Sequence, residues 1–146
     1  MSAPICVIDA SVLAARVVGG EPAYRDVRNL FNVLADRHTP LFVPAIALAE
    51  VAAALSRGTD NAALAVSAVV ELRRLPNLLI IPIDGSLGYH AAIVAAQWRI
   101  RGSDAVYGAL AQALEATLIT LDSRQRERVP ETLPALTPAE FLSQFT

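Results

Sequence analysis

The sequence predicts an α/β fold in which helices cover both sides of a mostly parallel sheet. Short apolar segments bounded by turn-forming residues, a pattern typical of buried strands, alternate with longer segments whose apolar residues recur at helical spacing. The 146 residues contain no internal repeat, no low-complexity tract and no linker long enough to divide them. We therefore expect one domain, spanning residues 1–146.

These patterns also give the individual elements. Strands are predicted at residues 5–8, 41–43, 78–83 and 118–121, with a weaker strand at 135–136. Helices are predicted at residues 24–37, 45–57, 61–75, 86–101, 104–116 and 138–145. The helix at 45–57 is apolar on nearly every side, which predicts that it is buried, and we expect it to stop at Gly58.

Composition excludes several classes of protein. The formal net charge is −2, so no global charge attracts this chain to nucleic acid. All 12 basic residues are arginine, which excludes mechanisms that need a catalytic lysine. The single cysteine excludes an intrachain disulfide, and two isolated histidines do not make a zinc site. No uncharged stretch approaches the roughly 20 residues of a membrane helix. The first residues lack a signal-peptide pattern, so we expect a soluble cytoplasmic protein.

Two aspartates directly follow predicted strands. Asp9 comes after the first strand and Asp122 after the fourth. Either side chain could simply cap the next helix, which is a common use of aspartate. The carboxyl ends of parallel strands meet at one edge of the sheet, where ligands bind in such folds, so we expect the two carboxylates to be close together. Asp84 also follows a strand, but the Gly85 and Ser86 after it indicate a turn or a cap.

Two further acids lie in apolar surroundings. Glu50 is the only charged residue between positions 45 and 55, and glutamate is rarely buried without a partner. That partner could be an arginine or a metal ion. Asp104 opens the helix predicted at 104–116, whose downstream face is apolar. Ser103 could cap this helix and leave the Asp104 carboxylate free.

A cluster of four carboxylates needs compensating charge, because like charges raise one another's pKa values. Mg²⁺ or Mn²⁺ would supply that charge, since these ions prefer oxygen ligands and keep several waters. Two such ions can activate a water and stabilise the leaving oxygen of a phosphodiester. They would also offset the repulsion between an acidic protein and a polyanion.

At these four acids the sequence resembles the PIN-domain family, and within it the VapC-type toxins of toxin–antitoxin pairs. The resemblance rests on four stretches, at residues 7–11, 49–51, 102–105 and 120–122. Their order and spacing extend from residue 5 to residue 136, over almost the whole chain. Each stretch alone is a weak signal, whereas the ordered set is fairly specific.

The resemblance implies a three-layer α/β/α sandwich around a mostly parallel, roughly five-stranded sheet. It also implies an endonuclease that cleaves RNA with Mg²⁺ or Mn²⁺. Ser11 and Thr120 match hydroxyl positions of the family, where they would orient a ligand or a water. The metal ligands, direct or through water, would be the four acids Asp9, Glu50, Asp104 and Asp122.

Partners follow from the same resemblance. VapC-type proteins typically form homodimers and are inhibited by a small antitoxin protein, and we expect both features here. An apolar helix face with Leu64, Val69 and Leu72 is a candidate surface for either partner. Trp98 and Tyr107 could stack on an RNA base, or they could pack in the core or in a dimer interface.

The sequence departs from the family pattern after Asp122. An acidic residue or an apolar anchor often follows there, whereas this chain continues with an arginine-rich segment. We therefore expect Asp122 to be held less firmly than in other members. Arg124 and Arg126 could bind RNA phosphates, which suit the guanidinium group, or they could form a solvated helix face. Arg99 and Arg101 leave the same alternatives open.

Two other functions fit parts of the sequence. A PIN-like module could bind RNA or a partner protein without cleaving it, but such a module has no need to keep all four acids. A phosphatase with an aspartyl nucleophile usually has a second aspartate two residues later and a lysine further on. Here Ser11 is at that position and lysine is absent. A metal-dependent endoribonuclease is the leading hypothesis.

Overall fold

A five-stranded sheet forms the centre of the computed structural model, which describes residues 4–20 and 22–145. Its strands are β1 (Cys6–Ile8), β2 (Leu41–Pro44), β3 (Leu78–Ile81), β4 (Thr117–Ile119) and β5 (Ala135–Leu136). Every pairing is parallel, and the strand order is β3-β2-β1-β4-β5. The prediction of five strands in a mostly parallel sheet is confirmed.

Two strands end two residues earlier than predicted. β3 stops before Pro82, which has no N–H to continue the ladder. Beyond the end of β4, the N–H of Leu121 donates to the Ser11 hydroxyl at 3.1 Å, and the N–H of Asp122 donates to the Thr120 hydroxyl at 3.0 Å. Side chains thus take the place of a neighbouring strand as hydrogen-bond acceptors at the exit of β4.

The helices of the described residues include all six predicted ones. They are α1 (Ala10–Ala15), α2 (Tyr24–Asp36), α3 (Ile46–Thr59), α4 (Ala62–Arg73), α5 (Gly85–Trp98), α6 (Gly102–Leu114), α7 (Ser123–Arg128) and α8 (Pro138–Leu142). The two not predicted, α1 and α7, have 6 residues each, too few to show a helical repeat. The expectation that α3 stops at Gly58 was wrong, since the helix continues to Thr59 and Asp60 ends it with φ at 52°.

The strand order places helices on both faces of the sheet. From β1 the chain moves outward to β2 and β3, then returns past β1 to β4 and continues to β5. Because parallel crossovers are right-handed, this reversal moves the connecting helices to the other face. Helices α1 to α4 pack among themselves with α8 against α2, whereas α5 packs against α6. The three-layer α/β/α sandwich is confirmed.

Two expectations about buried faces were wrong. α3 is not buried on every side: it buries Ala47, Val51 and Leu55, and its remaining residues are at least partly exposed because only one face meets the core. On α4, Leu72 is fully buried and belongs to the core rather than to a surface for partners. The large apolar side chains that α4 exposes are Leu64, Val66 and Val70.

Membrane insertion finds no support in the helices. Across residues 4–20 and 22–145, no helix combines the length and the apolar character that crossing a bilayer requires.

Gly108 in α6 and Gly88 in α5 form a matched pair for testing how these two helices pack. A Cβ added at Gly108 would collide with the indole ring of Trp98, whereas one added at Gly88 would meet nothing within 4 Å. We predict that Gly108→Ala lowers the free energy of unfolding by about 1–3 kcal/mol through overpacking. Gly88→Ala should raise it by about 0.5–1 kcal/mol, because alanine is the better helix former. Urea denaturation measures both, and effects of the same sign would contradict the packing.

Candidate active site

The carboxyl ends of β1 and β4 form the centre of the candidate site. These strands are neighbours, and the connections on either side of them run in opposite directions, which makes their exits a topological switch point. Asp9 follows β1 directly, and Asp122 lies three residues beyond the end of β4. Asp84 lies elsewhere and caps α5 by accepting the N–H of Leu87 at 2.8 Å, which confirms its interpretation as a cap.

Asp9 is held in one orientation by two hydroxyl side chains. It is buried, and its Oδ2 accepts hydrogen bonds from the Ser11 N–H at 3.1 Å, the Ser11 hydroxyl at 2.5 Å and the Thr120 hydroxyl at 3.1 Å. The Ser11 N–H bond also caps α1, so capping and a place in the site occur together. Oδ1 accepts no hydrogen bond from the described residues, which leaves it available to a ligand.

Asp122 is anchored through one of its carboxylate oxygens. Its Oδ1 accepts the N–H groups of Arg124 at 3.0 Å and Gln125 at 3.3 Å and so caps α7. Gln125 is 2% exposed, and its Oε1 is 2.9 Å from the hydroxyl of Thr120. The single hydroxyl hydrogen of Thr120 is therefore shared between Gln125 and Asp9. A buried polar side chain takes the place of the apolar anchor that the family pattern predicts.

The hydrogen-bond partner of Glu50 is a tyrosine and not an arginine, which the sequence had allowed. The hydroxyl of Tyr107, a fully buried residue of α6, donates to Glu50 Oε1 at 2.7 Å. Burial raises the pKa of Tyr107, and the bond to Glu50 raises it further, so the phenol remains a donor. With no exposed surface, Tyr107 cannot stack on an RNA base. It lies three residues after Asp104 and therefore on the same helix face, although this spacing does not reveal its bond to Glu50, which is 57 positions away.

Asp104 lies in the first turn of α6 and is paired with an arginine. The expected cap at Ser103 was wrong, because the helix already begins at Gly102 and Ser103 is inside it. The Nε of Arg101 donates to Asp104 Oδ2 at 3.1 Å, and its Nη2 is 3.7 Å from Asp122 Oδ2. The Arg101 side chain is 76% exposed, so solvent weakens both pairs.

The carboxylates of the site influence one another electrostatically. Burial raises the pKa of Asp9, hydrogen bonds from Ser11 and Thr120 oppose this, and the charge of Asp104 raises it further. Burial also raises the pKa of Glu50 against the hydrogen bond from Tyr107, and the charges of Asp9 and Asp104 add to the rise. The surrounding protein groups therefore do not fully compensate the negative charges of Asp9 and Glu50.

One depression of about 480 Å³ is lined by all four predicted acids. Arg57 and Arg101 are its basic residues, so its charged lining is two positive groups against four negative ones. Within residues 4–20 and 22–145, no group of three acidic, histidine or cysteine side chains is arranged so that it could hold a metal ion. An open set of oxygen donors with surplus negative charge fits a hard cation that keeps several waters, as Mg²⁺ and Mn²⁺ do.

The structure separates the arginines that were considered together from the sequence. Arg99, Arg101 and Arg124 line a second depression beside the carboxylates. Arg126 lies elsewhere, because its Nη1 is 3.4 Å from Glu140 Oε1, and it lines neither depression. Of the two arginines first considered for RNA, only Arg124 therefore lies near the acids.

Asp9→Asn tests the energetic cost of the buried charge. Folding raises the pKa of Asp9, so the protonated form of Asp9 stabilises the folded protein. This contribution is fully present below the ordinary pKa of 3.8 and is lost as pH rises through the raised pKa. We predict that, with metal ions chelated, Asp9→Asn melts at a higher temperature than the unmodified protein at neutral pH. The difference should shrink as pH falls towards 3.8. Thermal denaturation across this range measures it, with Asp84→Asn as control, and a difference independent of pH would contradict the prediction.

Comparison with known proteins agrees with this geometry. The PIN-domain family model matches residues 6–129. No protein of curated function matches the sequence.

Three of the solved structures with a similar fold illustrate the likeness. VapBC2 from Rickettsia felis, bound to a DNA fragment from its promoter, is 19% identical, with 91% of this chain and 98% of that chain covered and a TM-score of 0.70. VapC20 from Mycobacterium tuberculosis, a toxin that cleaves the sarcin-ricin loop, is 17% identical over 84% and 93%, with a TM-score of 0.71. A toxin-antitoxin complex from Klebsiella pneumoniae is 17% identical over 91% and 97%, with a TM-score of 0.64. Since the family model spans most of the sequence, this chain belongs to the PIN-domain family.

Proposed function

We propose that this protein is an endoribonuclease that depends on Mg²⁺ or Mn²⁺ and acts as the toxin of a toxin–antitoxin pair. The observation that carries the proposal is the convergence of four carboxylates on one depression at the switch point of the sheet. Membership of the PIN-domain family and the similarity to VapC20, a toxin that cleaves the sarcin-ricin loop, support it. The proposed catalytic residues are Asp9, Glu50, Asp104 and Asp122.

The same four acids would hold the metal, directly or through water. When bound, a divalent cation lowers the pKa of a coordinated water and stabilises negative charge on a phosphodiester. The protein contributes orientation: Ser11 and Thr120 fix Asp9 through one oxygen and leave the other available. Tyr107 in turn fixes Glu50. Arg101 partly neutralises the remaining two acids and is exposed enough to be displaced.

Partners and location belong to the same proposal. The similar folds include a toxin-antitoxin complex, which supports a cognate antitoxin as the inhibitor of this protein. A homodimer stays an expectation from the family resemblance. We also propose that the protein acts in the cytoplasm, where it would meet cellular RNA.

Cleavage of total cellular RNA by the purified, antitoxin-free protein tests the proposed activity. We predict fragments with Mg²⁺ or Mn²⁺ and none with chelator. Asp9→Asn should reduce cleavage by at least about a hundredfold, because even changes to residues that only orient metal ligands lower activity by about 10–100-fold. Circular dichroism of the variant verifies that the fold is intact.

Two outcomes of this experiment would count against the nuclease. Cleavage by Asp9→Asn at the rate of the unmodified protein would contradict the catalytic role of the acids. Metal binding without cleavage of any RNA would instead favour the alternative function, a PIN-like module that binds RNA or a partner protein.

Tyr107→Phe separates the orientation of Glu50 from the packing of the core. The change removes one hydroxyl, so the free energy of unfolding should fall by only about 1 kcal/mol. Mn²⁺ affinity should fall by about 10–100-fold, as for other residues that orient metal ligands. Binding should also shift to higher pH, because the bond from Tyr107 opposes the rise in the pKa of Glu50. Calorimetric titration measures this, with Tyr89→Phe at an exposed position as control, and equal affinities of the two variants would refute the role.

A further inference from the structure

A second depression, lined by four arginines, adjoins the carboxylates. We call it the arginine groove; its volume is about 340 Å³. Its charged lining residues are Arg99, Arg101, Arg124, Arg128, Asp104 and Asp122. The groove therefore carries four positive groups against two negative ones, whereas the carboxylate depression has the opposite balance. Both depressions share Arg101, Asp104 and Asp122, so they are continuous.

The arginines reach the groove from two segments of the chain, the connection between α5 and α6 and the helix α7. Arg99 ends α5 in the left-handed conformation, with φ at 57°, and Arg101 immediately precedes α6. Arg124 and Arg128 belong to α7, and Nη1 of Arg128 donates to the Arg99 carbonyl at 2.6 Å. This bond fixes α7 against the end of α5. The guanidinium groups of Arg99 and Arg124 form no ion pair with any described residue, so their charges are available.

Gln125 adds an observation independent of charge. This residue lines the groove although it is 2% exposed, and its Nε2 has no hydrogen-bond partner among the described residues. A buried donor without an acceptor costs about 1–3 kcal/mol, so such groups are usually paired with protein, water or ligand. The groove wall therefore contains a buried amide donor whose hydrogen-bonding capacity is unused.

We propose that the arginine groove binds the phosphate backbone of RNA beside the bond that is cleaved. The inference rests on the proposed nuclease function and adds a substrate-binding subsite to it. Guanidinium groups bind phosphates with two parallel hydrogen bonds, and such contacts hold a strand whatever its sequence. Because the groove opens into the carboxylate depression, a strand that follows it arrives at the acids. Arg101, at the junction, can release its two aspartates and contact a phosphate.

An acidic protein segment is the competing ligand for a basic groove. The continuity with the carboxylate depression favours RNA, because carboxylate side chains that extended beyond the groove would meet Asp9 and Glu50 in addition to the two aspartates of the groove. Cations bound at those acids would reverse the repulsion for a phosphodiester chain at the place where it is cleaved.

The double variant Arg99→Asn/Arg124→Ala tests the groove with little risk to the fold. Asparagine tolerates the positive φ of Arg99, and the Arg124 side chain makes no described contact that the change would remove. Arg101 and Arg128 are left intact because they hold other groups. The control is Arg73→Ala/Arg74→Ala, at the end of α4 that leads to the start of β3 and thus at the opposite edge of the sheet. Both variants lower the net charge by the same amount, because each removes two arginines.

Binding is measured by fluorescence anisotropy of a labelled single-stranded oligouridylate, over a range of salt concentrations. Every protein carries Asp9→Asn, so that Mg²⁺ can be present without cleavage. We expect the groove variant to bind about tenfold more weakly than its parent at low salt. The slope of log affinity against log salt should fall by about 1.4, or roughly 0.7 per lost phosphate contact. The control should keep the affinity and the slope of the parent.

Three results would overturn the proposal. They are equal affinities of the groove variant and the control, absence of RNA binding by the parent, and preferential binding of polyglutamate through the same arginines. The last would identify the groove as a site for an acidic protein segment. The nuclease function itself is tested separately, by measuring RNA cleavage by the protein that retains Asp9. A protein that binds RNA through the groove but cleaves none would retain the subsite and lose the proposed activity.

Discussion

The whole candidate site depends on how the buried carboxylate of Asp9 is held between two strand exits. The Ser11 hydroxyl donates to Asp9 and accepts the N–H of Leu121, while the Thr120 hydroxyl lies between Asp9 and the N–H of Asp122. Two hydroxyl groups thus join the ends of β1 and β4 and also end the β4 ladder early. The hydroxyl groups that orient Asp9 therefore also hold the backbone that leads to Asp122.

The protein orients its two raised-pKa acids with neutral donors rather than with cations. Asp9 is bound by serine and threonine, and Glu50 by tyrosine. A neutral donor fixes the direction of a carboxylate but leaves its charge in place. An arginine at the position of Tyr107 would have neutralised Glu50 and competed with any cation. The exception is Arg101, which pairs with Asp104 and Asp122 from an exposed position where solvent weakens the attraction.

Sequence reasoning predicted the sheet and the acids because both depend on local patterns and one topological rule. Strand exits converge in a parallel sheet, so Asp9 and Asp122 could be placed together without knowing any contact. The partners could not be predicted in the same way. Tyr107 meets Glu50 across 57 positions, and Thr120 meets Asp9 across 111, so no local spacing reports either bond. The anchor of α7 was missed because a buried glutamine within an arginine-rich segment has the sequence pattern of a solvated helix.

If the protein binds RNA as proposed, the separation of opposite charges explains how a chain of net charge −2 accommodates a polyanion. Salt screens charges that lie more than about 10 Å away, so the net charge of the whole protein has little effect on a ligand in the groove. The two depressions, by contrast, are in direct contact. A phosphate chain would therefore respond to the arginines of the groove more than to acids elsewhere on the surface. Arg101 belongs to both depressions, so cations that displaced it from Asp104 and Asp122 would add a positive charge to the groove. Metal binding and strand binding would then favour each other through a single side chain.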